Sequence, residues 1–276
     1  MARAHPLLLA DGALRRLWRS FGVFWAPLLE WRVRRHLERW PDLLTGEVER
    51  AITGAIRYLE TQPGLELTTI IALWPAFRAG DEPRLRFLEP ALQYYMSRFN
   101  NPDLRLFDED YDPNSPAVAK LTRIAASHPI NVVMEQCVYA DRLGLGIEIL
   151  DTLARLEDGG FYGTTHIVWG CLLLRRFSSI DGQRIDALLA RGIESMKRRQ
   201  PTDVVGDLFA ERVAFLQWAG RSDDVDPVWI WRIVRAQRAD GGWCRVPSIW
   251  PQPPSQHTSC LGLAALIAFH ARTVER

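Results

Sequence analysis

The chain has 276 residues, 47% of them hydrophobic and 24% charged, with 11 Trp, 4 Cys and a formal net charge of +1. That length allows one large domain or two small ones, and the composition excludes disorder, a collagenous repeat and a miniprotein held together by disulfides. A balance of 34 basic against 33 acidic residues gives no sign of nucleic acid as the main partner.

Residues 1–45 are expected to form an N-terminal amphipathic segment docked on the domain that follows. The first 40 residues carry eight Arg against Asp11, Glu30 and Glu38, with Trp18, Trp25, Trp31 and Trp40 interleaved. Leu14, Leu17, Trp18, Phe21, Trp25, Leu28 and Leu29 recur at three- and four-residue steps, the period of an amphipathic helix that Pro27 would kink. Such a helix either packs on the domain or lies at a membrane surface with Trp at headgroup level and Arg facing anionic lipid, so peripheral membrane contact is a second expectation. The apolar run from Phe21 to Leu29 is short, ends at Glu30 and lacks a small-residue cleavage site, so it is not read as a signal peptide. No stretch reaches the roughly 20 apolar residues that span a bilayer. The four cysteines form no C-x-x-C pair, which suits a reducing, cytoplasmic setting.

From about residue 46 to 276 the pattern is helix, short Gly- or Pro-bearing turn, helix, with no alternating strand, and it predicts an all-α fold. Apolar residues fall at helical spacing over 47–60, 67–77, 84–98, 129–143, 146–156, 167–177, 182–199, 207–219, 227–238 and 259–272. The intervening stretch 100–116 is acidic and bears prolines, which makes it a surface loop and, by its length, a functional candidate.

Internal similarity adds a unit of repetition. Asp158-Gly159-Gly160-Phe161 recurs as Asp240-Gly241-Gly242-Trp243, and Thr68-Thr69-Ile70-Ile71-Ala72-Leu73-Trp74 echoes Thr164-Thr165-His166-Ile167-Val168-Trp169. Each unit reads as a helical hairpin in which a glycine turn carries an aromatic that plugs the gap to its neighbour. The run Gln237-Arg238-Ala239-Asp240-Gly241-Gly242-Trp243 resembles the QW-type repeat of squalene and terpenoid cyclases and of protein prenyltransferase β subunits. Its first copy, Glu157-Asp158-Gly159-Gly160-Phe161, has Glu in place of Gln. His257-Thr258-Ser259-Cys260 is similar to the inner-helix start of prenyltransferase β subunits, where a histidine followed by threonine ligates zinc.

The resemblance covers 146–176 and 226–270 and implies an α/α toroid of five to six helical hairpins, with an enzyme acting on a hydrophobic, isoprenoid-like small molecule in its cavity. The departures favour an alternative, a non-catalytic ligand-binding or protein-interaction scaffold. The D-x-D-D motif of class II cyclases is replaced by Asp108-Glu109-Asp110-Tyr111-Asp112, and Asp223-Asp224 is followed by Val225, Asp226 and Pro227 rather than by the class I D-D-x-x-D pattern. The Asp and Cys zinc ligands of prenyltransferases have Thr164 and His166 near the places where they would fall.

Four residues are the leading site candidates. His166 and His257 each follow a Gly-Gly-aromatic turn, and each is expected to begin an inner helix, so that both face one end of the cavity. Asp207 and Glu211 stand four apart on one helical face between the two repeats. Two imidazoles and one or two carboxylates suit zinc or another divalent metal with an open position, and one histidine held by a carboxylate suits a general base. Each group also has an ordinary use: a histidine fills a polar layer, Asp207 caps its helix and Glu211 pairs with Arg212 or a neighbouring arginine. Asp110, crowded by Asp108, Glu109 and Asp112, is a candidate protonated acid, since crowding raises a carboxyl pKa where water is excluded. Glu135 and Asp141 are weaker candidates for a polar wall, and Trp74 and Trp169 for an aromatic lining.

Overall fold

A computed structural model of the chain describes residues 30–39, 41–111, 129–159, 161–246 and 252–274. The periodic stretch 14–29, Trp40, Asp112 at the end of the acidic run and Gly160 of the first repeat lie outside the described residues. Among the described residues every regular element is a helix and no strand occurs, as the periodicity predicts. Contacts divide the chain into two compact units.

The first unit holds the described residues up to Arg84 together with those of 198–217 and 221–274. Its helices are α1 (residues 30–39), α2 (Pro41–Glu60), α3 (Leu67–Ala79), and, after the second unit, α9 (Asp207–Trp218, its last residue assigned to the second unit), α10 (Pro227–Ala236) and α11 (Gln256–Val274). Helix α11 packs against α2 and α3. It has no charged residue between His257 and His270, and every residue from Thr258 to Ile267 is buried, the pattern of a helix enclosed on all sides. Helix α9 is buried almost as completely, and it carries charge inside: Asp207, Glu211 and Arg212 are all buried.

The repeat at 237–243 is tied into this unit by side-chain bonds and one close backbone approach. The Gln237 side-chain amide donates to Ala51 O at 2.7 Å and to Gly241 O at 2.8 Å, tying the end of α10 to α2. Gly241 has φ +92°, and a Cβ there would stand 2.1 Å from Gly54 O, so only glycine fits. Trp243 is buried, its indole N–H donates to Ile233 O at 2.8 Å, and its backbone N–H donates to Ser259 Oγ at 2.9 Å. These three residues of the motif therefore have packing roles: glutamine bridges, glycine allows close approach, and tryptophan fills the gap between α10 and α11.

The second unit, Leu85–Lys197 with Trp218–Gly220, contains α4 (Leu88–Arg98), α5 (Pro129–Val138), α6 (Glu148–Arg155), α7 (Phe161–Phe177) and α8 (Gly182–Arg199, its last two residues assigned to the first unit). Short 3-10 turns stand at Pro83–Phe87, Pro102–Leu106 and Leu156–Gly159. Helix α7 packs on α5 and on the turn before it. It begins at Phe161, six residues ahead of the predicted start, so Gly163-Thr164-Thr165-His166 is helical. A Cβ at Gly163 would lie 1.6 Å from Leu156 O, so glycine is what lets this early turn of the helix seat on the preceding turn. His166 consequently sits in the second turn of its helix rather than at the start, while His257 stands in the first turn of α11.

Residues 101–111 of the acidic stretch are more ordered than a plain loop. Asn101 caps the 3-10 turn by accepting from Asp103 N at 2.9 Å. The buried Arg105 makes two 2.6 Å bonds to the Asp141 carboxylate and one to Val138 O. Arg176 pairs with Glu109 at 2.8 Å, and Arg142 donates to Glu109 O and Tyr111 O. Three arginines thus pin the segment.

Candidate metal centre

Asp207 is the first residue of α9, and Glu211 lies one turn on, so the i, i+4 spacing sets both carboxylates on one helical face. His257 comes from the first turn of α11. One ligand atom from each of the three residues can be chosen so that all lie within 4.8 Å of one another. Both carboxylates are 3% exposed, whereas the His257 side chain is 37% exposed, so the group is buried on its acidic side and open at the imidazole.

Hydrogen bonds fix Asp207 in place. Its backbone N–H donates to Arg245 O at 3.0 Å, and Thr258 Oγ donates to Oδ1 at 3.0 Å. His257 Nε2 stands 3.6 Å from the same Oδ1. Ligand atoms on a tetrahedral zinc, each about 2.1 Å from the ion, are about 3.4 Å apart, so the Asp207–His257 separation is close to a ligating one. The Thr258 hydroxyl is the kind of outer partner that orients a ligating carboxylate. Arg245 adds its guanidinium at the rim, with Nε 4.0 Å from Asp207 Oδ2.

The buried helix brings its own countercharge. Arg212, fully buried beside Glu211, pairs through Nη1 with Asp203 Oδ2 at 2.9 Å and lies 3.4 Å from Gln200 Oε1. Burial pulls the Arg212 pKa down, and the nearby acidic groups oppose that. Arg212 therefore has Asp203 as an ion-pair partner, with the Glu211 charge also close enough to act on it. Cys260, one turn after His257, is fully buried and its Sγ is 2.9 Å from His257 O. Burial pushes its thiol pKa far up. Cys137, Cys171 and Cys244 are likewise free thiols.

The other sequence candidates fall in the second unit. His166 Nδ1 is 2.8 Å from Tyr162 O, which can only accept, so Nδ1 carries a proton and donates to its own helix. Asp110 is exposed, and its backbone N–H donates to Asp108 Oδ1 at 3.1 Å in an Asx turn. Trp169 stacks at a tilt on Trp218, with ring centroids 5.6 Å apart. In the first unit Trp74 lies 5.5 Å from Phe77 on α3, the helix that packs against α11.

Two acids of the second unit were less legible. Burial pushes Asp103 up to about 6, while burial and then the Asp103 charge push Glu135 up to about 7. Asp103 carried no signal beyond its place in the acidic stretch. Asp141, named with Glu135 as a polar wall, is instead held below the usual carboxylate range by its bonds to Arg105.

Comparison of the chain with protein-family models, with curated proteins and with solved structures finds no match. Among the described residues no helix is long and apolar enough to cross a membrane.

Proposed function

We propose that Asp207, Glu211 and His257 hold a divalent cation, with zinc the ion best suited to an imidazole and two carboxylates, and that the chain is an enzyme using it on a hydrophobic, isoprenoid-like small molecule. The observation that carries the metal reading is the convergence of three ligand atoms within 4.8 Å, from two helices, around a carboxylate already oriented by a threonine hydroxyl. Three protein ligands leave an open position, and a cation there supplies Lewis acidity to a substrate oxygen or lowers the pKa of a water. The chain's own part is to hold the charge of the carboxylates out of solvent and to keep the imidazole at the opening. Trp74 and Phe77 supply aromatic surface on the neighbouring helix. The substrate class and the α/α toroid around it rest on the resemblance in 237–243 and 257–260, and a scattering profile of a compact ring rather than a rod is the outcome expected of the toroid.

Elemental analysis of the purified chain beside Asp207→Ala and His257→Ala tests the metal. About one equivalent is expected, lost from both variants; less than about a tenth of an equivalent that added zinc does not restore sinks the reading. A second reading follows from the 3.6 Å approach of His257 Nε2 to Asp207 Oδ1, in which the carboxylate holds the imidazole as a metal-free general base. Turnover of an isoprenoid panel that survives a chelator but not His257→Ala selects it.

A further inference from the structure

Helix α1 shows two different faces. One is fixed to the first unit: Leu37 is buried, Glu30 pairs with Arg232 at 3.3 Å, and Arg34 pairs with Asp226. Positions 30, 34 and 37 are one stripe of a helix, so the helix is anchored along its length by one side. The opposite stripe, Trp31, Arg35 and Arg39 with Arg32 beside it, is exposed. Trp31 is 55% exposed, and the Arg35 guanidinium lies 5.2 Å from the centroid of its ring. A large aromatic left in water on a helix whose other face is docked is the informative kind of exposure.

Charge is distributed in the same sense. The first 40 residues hold eight arginines against three acids, and the remaining residues hold 26 basic against 30 acidic groups. A chain of near-zero net charge thus concentrates its whole basic excess at one end, and the exposed face of α1 belongs to that end.

We propose that the Trp31–Arg32–Arg35 face of α1 is a docking surface for anionic lipid headgroups, by which the chain associates peripherally with a membrane. The indole is amphipathic and settles at the boundary of headgroup and acyl chain, and guanidinium groups beside it bind phosphate and carboxylate oxygens in pairs. The exposed side of a single docked helix is convex, which suits a bilayer surface better than a nucleic acid strand, whose binders surround the backbone with a groove. Each arginine near an anionic surface contributes about five-fold in partitioning.

Co-sedimentation of the full chain with vesicles, at about 0.1 M salt, tests the surface. Vesicles of phosphatidylcholine containing about 30% phosphatidylserine are expected to bind the chain at least ten-fold better than phosphatidylcholine alone. The double variant Arg32→Gln/Arg35→Gln is expected to lose about 20-fold of that partitioning, Arg32→Lys/Arg35→Lys to retain most of it, and Trp31→Ser to weaken both kinds of binding. All three side chains are exposed, so helix content and thermal midpoint should not change, and circular dichroism checks this. Equal binding to both vesicles, no binding to either, or a double variant that partitions like the parent chain would overturn the proposal. Tighter binding to a fluorescent single-stranded oligonucleotide than to anionic vesicles at the same salt would also overturn it.

Discussion

In the first unit Asp207 and Glu211 share their surroundings with an imidazole and a threonine hydroxyl; in the second, Glu135 has Asp103 as its charged neighbour. The chemistry that each region can do follows from this contrast. Carboxylates gathered with an imidazole nitrogen and an orienting hydroxyl offer the donor set a cation needs, whereas burial of Glu135 near the Asp103 charge favours its protonated form. A second contrast lies in how each unit buries an arginine: Arg212 and its partner Asp203 are both withdrawn from solvent, while the buried Arg105 reaches a half-exposed Asp141.

The largest effect is expected where both members of a pair are buried. Asp203→Ala leaves the Arg212 guanidinium inside the first unit without its carboxylate and should cost about 3–5 kcal/mol in urea unfolding. Asp141→Ala should cost less, about 2 kcal/mol, because water reaches the vacated position. Equal costs would erase the difference between the units.

Ligand removal comes next. His257→Ala and Asp207→Ala should each weaken zinc binding by more than about 100-fold, beyond the range of an outer partner, and Thr258→Val by about 10- to 100-fold, both read by competition with a chromophoric chelator. A Thr258→Val chain that binds zinc like the parent would remove the hydroxyl from the account.

The smallest effect has a direction set by pH. Glu135 holds its proton up to about pH 7 in the folded chain, against about 4.3 when unfolded. Its contribution to stability is therefore full below about pH 4.3 and is lost as pH rises through 7. Glu135→Gln stays neutral, so it should be more stable than the parent at pH 8, by on the order of 1 kcal/mol with solvent screening included, and equal to it near pH 4. Thermal melts at the two pH values measure this, and a variant less stable at pH 8 would contradict it.

Much of the first unit was legible in the sequence because its signals are local. Gln237, Gly241 and Trp243 stand out as a motif, and each proves to have a packing partner. The i, i+4 spacing of Asp207 and Glu211 places them on one face of any helix there, and the Gly-Gly-aromatic turn pointed to His257. In the second unit, helix 182–199 has the bounds its periodicity predicts. What stayed hidden depends on contacts distant in sequence. Gly163 looks like a turn residue, yet it lies inside α7 with Leu156 O against it, and His166 falls inside the helix as well. Asp103 looked like one solvated acid among several, because nothing in its neighbours' identities announces the burial that raises its pKa. Thr258 entered the sequence reading only as the residue after a histidine, and its bond to Asp207, 51 positions away, is a product of packing α11 against α9.

The central claim is that Asp207, Glu211 and His257 form one cation site, and isothermal titration of the metal-stripped chain with zinc near neutral pH tests it most directly. The account predicts a single site of about one equivalent in the parent chain, absent from His257→Ala and from Glu211→Gln at the same protein concentration. Binding of the same stoichiometry and affinity in both variants, or no binding by the parent chain, would contradict it.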